Sequence, residues 1–291
     1  MAVKGIDVSK WQGTVDFEKV RGAGYGFVII NAGYGRYISQ KDGYFEDNYR
    51  KAKAAGLDIG AYWYSYAVTA REALQEAEIF MQAVKDKTFE YPLCFDIEDS
   101  SQRGLSNSVI GDMVDSFCGA LEKSGYYAAV YSYADFLTRK VPVQCRRKYD
   151  VWVAAHDVAK PPYDMSYGMW QYTSTGRVNG VKGDCDCDMS YMDYPAIMKE
   201  KGLNGFKKGS AKPLDRTGYR FGDKGLGVYA LKKLLGLAYN EGLVKYKLGD
   251  HTEFGEGTKD DVDTLLERWG YERNGTAGEG FIRKLFTELE N

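Results

Sequence analysis

Along the first two hundred residues, short apolar runs rich in Val, Ile and aromatic residues alternate with stretches whose apolar positions recur every three or four residues. The runs at 5–8, 26–31, 59–64, 93–98, 128–131, 151–155 and 169–172 read as strands. Between them, 44–55, 70–84 and 107–123 read as helices. Leu74, Ala77, Phe80 and Met81 mark one apolar face, and Ile110, Val114, Phe117 and Leu121 another. This alternation predicts a largely parallel sheet with helical crossovers. Runs apolar on both faces, such as Phe27-Val28-Ile29-Ile30, suit strands covered on both sides, so seven or eight of them predict a closed, TIM-like α/β barrel. Connections shorten among the later strands, and the barrel is expected to be irregular there.

The pattern breaks at 199–213, a Gly- and Lys-rich stretch without periodicity that reads as a linker. Beyond it, 227–237, 259–269 and 280–289 read as three short helices. Val228, Leu231, Leu234 and Leu235 would form a core with Val262, Leu265, Leu266, Trp269, Phe281, Ile282 and Leu285. The expected organisation is a barrel over 1–198, the linker, and a small all-α domain over 214–291.

Composition changes this picture little. A net charge of −2 leaves no basic footprint for nucleic acid, and no run approaches the ~20 apolar residues that would insert stably in a membrane. The N-terminus has no basic start followed by an apolar run, so synthesis in the cytoplasm without a secretory signal is expected. The cysteine count, five, is odd and fits free thiols. Cys185 and Cys187 alternate with Asp184, Asp186 and Asp188, but Met189 and Pro195 stand where a calcium loop needs Gly and Glu. Neither metal nor cofactor is expected.

The segment Leu93-Cys94-Phe95-Asp96-Ile97-Glu98-Asp99 carries the chemistry. Carboxylates at i and i+2 of a strand share a face, and the C-terminal ends of barrel strands are where catalytic groups collect. Glycoside hydrolysis needs one acid to protonate the leaving oxygen and another to support the developing cation. An Asp-x-Glu is also what a solvated strand end looks like, but Asp7 ends the first strand and Asp186 falls where a last strand would end. Tyr62, Tyr64, Tyr131, Trp170 and Tyr172 sit at comparable positions and are candidate sugar-binding rings.

Five motifs in order resemble glycoside hydrolase family 25, the Ch-type lysozymes. They are Gly5-Ile6-Asp7-Val8-Ser9-Lys10-Trp11-Gln12, Gly56-Leu57-Asp58-Ile59-Gly60-Ala61-Tyr62, Phe95-Asp96-Ile97-Glu98, Val151-Trp152-Val153-Ala154 and Trp170-Gln171-Tyr172. The resemblance implies an irregular α/β barrel cleaving the β-1,4 bond between N-acetylmuramic acid and N-acetylglucosamine of bacterial peptidoglycan. It makes Glu98 the general acid/base, Asp96 its partner, and Asp7 and Asp186 supporting acids. It favours assistance by the substrate acetamido group, although direct attack by Asp96 stays open. Asn31, Trp63 and His156 depart from the residues common in the family.

The C-terminal region resembles three-helix peptidoglycan-binding domains through Phe254-Gly255-Glu256-Gly257-Thr258 and Gly270-Tyr271-Glu272-Arg273-Asn274-Gly275-Thr276-Ala277-Gly278, with Lys232 and Lys233 replacing a usual Gln. The combination looks like a phage endolysin, released to the wall after synthesis. A non-catalytic wall binder and a glucosaminidase cutting the other glycan bond are the alternatives.

Overall fold

The computed structural model describes residues 2–207 and 218–290, and the chain divides into two units between Gly209 and Ser210. In the first unit β1 (Val3–Val8) leads through α1 (Phe17–Gly22) to β2 (Phe27–Tyr34), then α2 (Phe45–Ala54), β3 (Asp58–Tyr64), α3 (Ala70–Val84) and β4 (Leu93–Asp96). There follow α4 (Asn107–Lys123), β5 (Ala128–Tyr133), α5 (Ala134–Arg139), α6 (Val143–Lys148), β6 (Asp150–Ala154), β7 (Met169–Gly176), β8 (Cys185–Ser190) and α7 (Tyr194–Lys201). The eight strands close a barrel in sequence order. β1 to β7 are parallel to their neighbours, whereas β8 runs antiparallel to both β7 and β1. The expected irregularity is therefore a reversed closing strand, preceded by β6 and β7 without a helix between them.

Side-chain alternation divides the apolar residues into two layers. Odd-numbered Phe27 and Ile29 of β2 point into the barrel with Ala129 and Tyr131 of β5, Met169 of β7 and the even-numbered Cys94, Trp152 and Ala154 of β4 and β6. Val28, Ile30, Phe95, Val130 and Val153 point outward against Phe80 of α3 and Phe117 of α4. Phe95 and Phe117 stack at 4.1 Å between centroids. Each such buried large side chain is worth ~1.5–3 kcal/mol. The interior is tight enough to require glycine at two inward positions. A Cβ on Gly5 would lie 2.2 Å from the Phe27 ring, and one on Gly60 would lie 2.6 Å from Ile29.

Residues past 198 belong to this unit, which corrects the expected linker over 199–207. Helix α7 closes the floor of the barrel, where Tyr194 and Met198 pack beneath Tyr91 with Leu203 and Phe206. Fully buried Asn204 clasps the floor: it accepts from Tyr127 N–H (2.7 Å) and donates to Tyr91 O (2.8 Å). The Lys- and Gly-rich composition of the stretch hid these few anchoring side chains. The remainder of the expected linker, 208–213, lies outside the described residues.

The second unit contains α8 (Leu226–Asn240), α9 (Glu256–Arg268) and α10 (Glu279–Leu289), with a short antiparallel pair of β9 (Tyr219–Arg220) and β10 (Thr276–Ala277). Its core joins Val228, Leu231 and Leu235 to Val262, Leu265, Leu266, Phe281 and Leu285, while Leu234, Trp269 and Ile282 are only half-buried. Buried Asp263 accepts Gly275 N–H (2.7 Å) and pairs with Lys259 (2.9 Å), pinning the Gly-rich turn to α9.

Candidate active site

The inward positions continue past the packed interior to the rim. Asp7 of β1, Asp96 of β4, Asp186 of β8 and Glu98, just beyond the end of β4, line one hollow of about 190 Å³. All four predicted acids are thus brought together. Asp186 reaches the rim differently from the expectation. It lies at the start of a strand, and because β8 is reversed that start stands opposite Asp7 in register.

Tyr62, Tyr64 and Tyr131 line the same hollow. Trp170 and Tyr172 do not, which corrects their assignment as sugar-binding rings. On β7 the inward residue is Gln171, so its neighbours face the outer layer, where the Trp170 indole donates to Ala155 O (2.8 Å). Trp63, one of the departures from family habit, is likewise fully buried on the outer side, with its indole donating to Gly35 O (2.9 Å). Asn31 and His156 do border the cleft.

Backbone bonds hold the acidic loop. Ser65 N–H donates to Asp96 O and Ile97 N–H to Tyr131 O, both at 3.0 Å, and the Ser132 hydroxyl donates to Ile97 O (2.6 Å). The ladder therefore extends one residue past β4, and Glu98 springs from a fixed base. Asp99 caps the following turn at Ser101 N–H and accepts the Tyr64 hydroxyl (3.1 Å). The inner side of the site is a relay: Gln171 donates to Asp7 (2.8 Å) and accepts from the Tyr131 hydroxyl (2.9 Å) and His156 Nε2 (2.8 Å). Since the Gln171 amide nitrogen serves Asp7, its oxygen faces His156 and fixes the proton on Nε2. Deeper still, the Trp152 indole donates to fully buried Asp188 (2.9 Å).

Five carboxyl groups in so small a space cannot all be charged. Burial, then the Asp186 charge, raise the Glu98 carboxyl to about 7, against the pull of Arg103. Burial, then Glu98, hold Asp96 well above the usual carboxylate range. Burial, with Asp186 and Asp188 next, raises Asp7, and burial raises Asp186 to about 6 despite the opposing His156. Asp96 Oδ1 and Glu98 Oε2 are buried, with no hydrogen-bond partner among the described residues. Glu98 is thus a half-buried acid that keeps its proton near neutrality, beside a second carboxyl free to face a bound molecule.

The hollow is the centre of a longer trough. On one side, sharing Tyr62 and Tyr64, it continues into about 480 Å³ bounded by Lys10, Trp11, Tyr34 and Tyr66. Trp11 is 83% exposed, a ring offered to solvent, with the Lys10 ammonium 5.1 Å from its centroid. On the other side, sharing Glu98 and Tyr133, lies a cavity of about 430 Å³.

A model of the glycosyl hydrolases family 25 matches residues 6–181, a span holding three of the four acids, with Asp186 just beyond it. The chain belongs to that family. It is 33% identical over 186 residues to the autolytic lysozyme of Clostridium acetobutylicum, an alignment covering 64% of this chain and 55% of that one. The chain therefore spans only 55% of that relative's length. Among solved structures it resembles the bacterial lysozyme from Streptomyces coelicolor, at 28% identity and TM-score 0.60, over 72% of this chain and 98% of that one. It also resembles the CTP1L endolysin, at 26% identity and TM-score 0.59, over 68% and 70%. Within this family-25 barrel, Gln171, His156, Trp152 and Asp188 join the site; the motifs contained Trp152 and Gln171, and His156 stood out as a departure, but none of the four was given a role from the sequence. The inward parity of β6 and β7 was the signal that could have found Trp152 and Gln171.

Proposed function

We propose that the chain is an N-acetylmuramidase, hydrolysing the β-1,4 bond between N-acetylmuramic acid and N-acetylglucosamine in bacterial peptidoglycan. The observation that carries this reading is the Asp96/Glu98 pair at the centre of an open trough, with the Glu98 proton retained up to about pH 7. Glu98 donates that proton to the departing glycosidic oxygen and afterwards takes one from the attacking water. Asp96 lies where the sugar cation develops and supports it, directly or by orienting the acetamido arm. Asp7, held by Gln171, and Asp186, beside His156, shape the charge around the pair. Mass spectrometry of fragments released from purified peptidoglycan tests this. Reducing N-acetylmuramic acid ends are expected, reducing N-acetylglucosamine ends would indicate a glucosaminidase, and no release would leave a wall binder.

The second unit fits a wall anchor in this reading. Trp269 and Tyr271 border a cavity of about 510 Å³, and the Lys284 ammonium lies 5.5 and 5.0 Å from their ring centroids. Glu288 accepts the Trp269 indole N–H and steadies the ring. Aromatic faces with a cation between them suit N-acetylated sugars carrying acidic peptides. The likeness to an endolysin supports a phage role, with the enzyme made in the host cytoplasm and acting on the wall after release. Fractionation of infected cells before and after lysis would follow it from cytoplasm to wall.

A further inference from the structure

The cavity of about 430 Å³ beside Glu98 has a composition that the hydrolytic step does not call for. Its walls carry Arg103, Arg139 and Lys140, with Phe136 as an apolar floor and Asp135 as the acid besides Glu98. Among the described residues none of the three cations is ion-paired with a carboxylate, although Arg and Lys elsewhere on the barrel are, as at Lys53–Glu90 and Lys148–Asp115. The walls are tied in place. Lys140 Nζ donates to Leu105 O (2.6 Å), and Asn107 at the start of α4 donates to Arg139 O (2.8 Å) at the end of α5. Arg103 follows the turn capped by Asp99.

Positive charge here works against the acid, because Arg103 lowers the hold of Glu98 on its proton. A polymer of neutral sugars gains nothing from such a wall. A polymer whose alternate sugars carry an acidic substituent does, because the substituent meets unpaired cations one step from the bond being cut.

We propose that this cavity is a subsite for the carboxylate-bearing arm of the muramyl residue. This rests on the muramidase reading. The arm offers two sources of charge, the lactyl carboxylate at its root and the carboxylates of an attached peptide. Arg103 and Arg139 recognise them by paired N–H donors, and the half-buried Lys140 adds a fixed charge at the cavity edge.

The test measures KM and kcat of the full chain and of Arg139→Gln and Arg139→Glu on three soluble glycans. The first bears its natural peptides, the second has its peptides removed by an amidase, and the third has all carboxylates converted to neutral amides. Arg139 is exposed, so both substitutions leave packing intact, and circular dichroism checks this. On the natural glycan KM is expected to rise about three- to tenfold in Arg139→Gln and further in Arg139→Glu, with kcat less affected. On the amidated glycan the wild type should show a similarly raised KM, and Arg139→Gln should add nothing. A variant effect kept on the amidase-treated glycan assigns the lactyl carboxylate, and one lost there assigns the peptide. Equal effects of Arg139→Gln on charged and amidated glycans, or none on either, would overturn the subsite. If the wild type released no muramic acid ends from any of them, the muramidase reading itself would fail.

Discussion

Glu98→Gln keeps the volume and reach of the side chain but removes the transferable proton. Because general acid catalysis contributes ~10²–10⁴-fold, turnover on soluble peptidoglycan should fall at least a hundredfold while the folded protein still binds wall. Near-wild-type turnover would move the acid elsewhere among Asp7, Asp96 and Asp186. In the wild type, kcat/KM should decline as pH rises through about 7, since only protonated Glu98 starts the reaction. Stability follows the same proton. Folded Glu98 holds it up to about 7, against 4.5 when free, so the cost of burying the carboxyl is absent at pH 4. That cost grows between those two values and is complete above them. Glu98→Gln should therefore raise the melting temperature by roughly 2–8 °C at pH 8 and leave it unchanged at pH 4. Equal shifts at both pH values would point to packing instead. Asp7, Asp96 and Glu98 were legible in the sequence because each ends an apolar run. Gln171, His156 and Asp188 were not, since a neutral amide, a lone imidazole and one acid in an Asp-rich stretch carry no recognisable spacing.

At the scale of elements, the strands before β8 could be placed from their apolar runs, and the inner and outer faces of β2 follow from simple alternation. Trp170 and Tyr172 show where pattern reading stops. Their ring chemistry suited a sugar cleft, but with Gln171 facing inward to Asp7, strand alternation turns both rings outward. The reversed β8 was illegible for another reason. Cys-Asp-Cys-Asp is a poor strand by composition, and it becomes one only because β1 and β7 supply partners on both sides. Close packing inside the barrel gives a sharp expectation for Gly5. In Gly5→Ala the added methyl meets the Phe27 ring, and the displacement should destabilise the barrel by ~1–3 kcal/mol in a urea titration. The paired change Gly5→Ala with Phe27→Leu should recover much of that loss. No recovery would mean the strain lies in the backbone of β1.

For the whole molecule, the Asn204 clasp sets where the catalytic unit can be cut. A protein of residues 1–207 should fold and hydrolyse soluble glycans like the full chain and, if the second unit anchors the enzyme to the wall as proposed, clear intact cells less well. A protein of residues 1–198 leaves Tyr127 N–H and Tyr91 O without their partner, a loss of about 1–3 kcal/mol for each. Its midpoint in urea should be clearly lower, and equal midpoints would remove any role for the clasp. Lysis by the full chain should persist in EDTA, since the steps above use carboxyl groups alone. Loss of activity restored by one divalent ion would contradict that.

The reversed β8 also fixes the moment at which the acidic trough is completed. In the chain 179 residues (186 − 7) separate Asp7 from Asp186, so the second leaves the ribosome roughly ten to forty seconds after the first at about 5–20 residues per second. Until β8 emerges, β1 and β7 are open edges and the trough lacks one wall. A chain cut short before β8 would therefore be an unclosed sheet with two open edges, prone to pair with its like. The four acids of the trough meet only when β8, the closing strand of the barrel, joins β1 and β7.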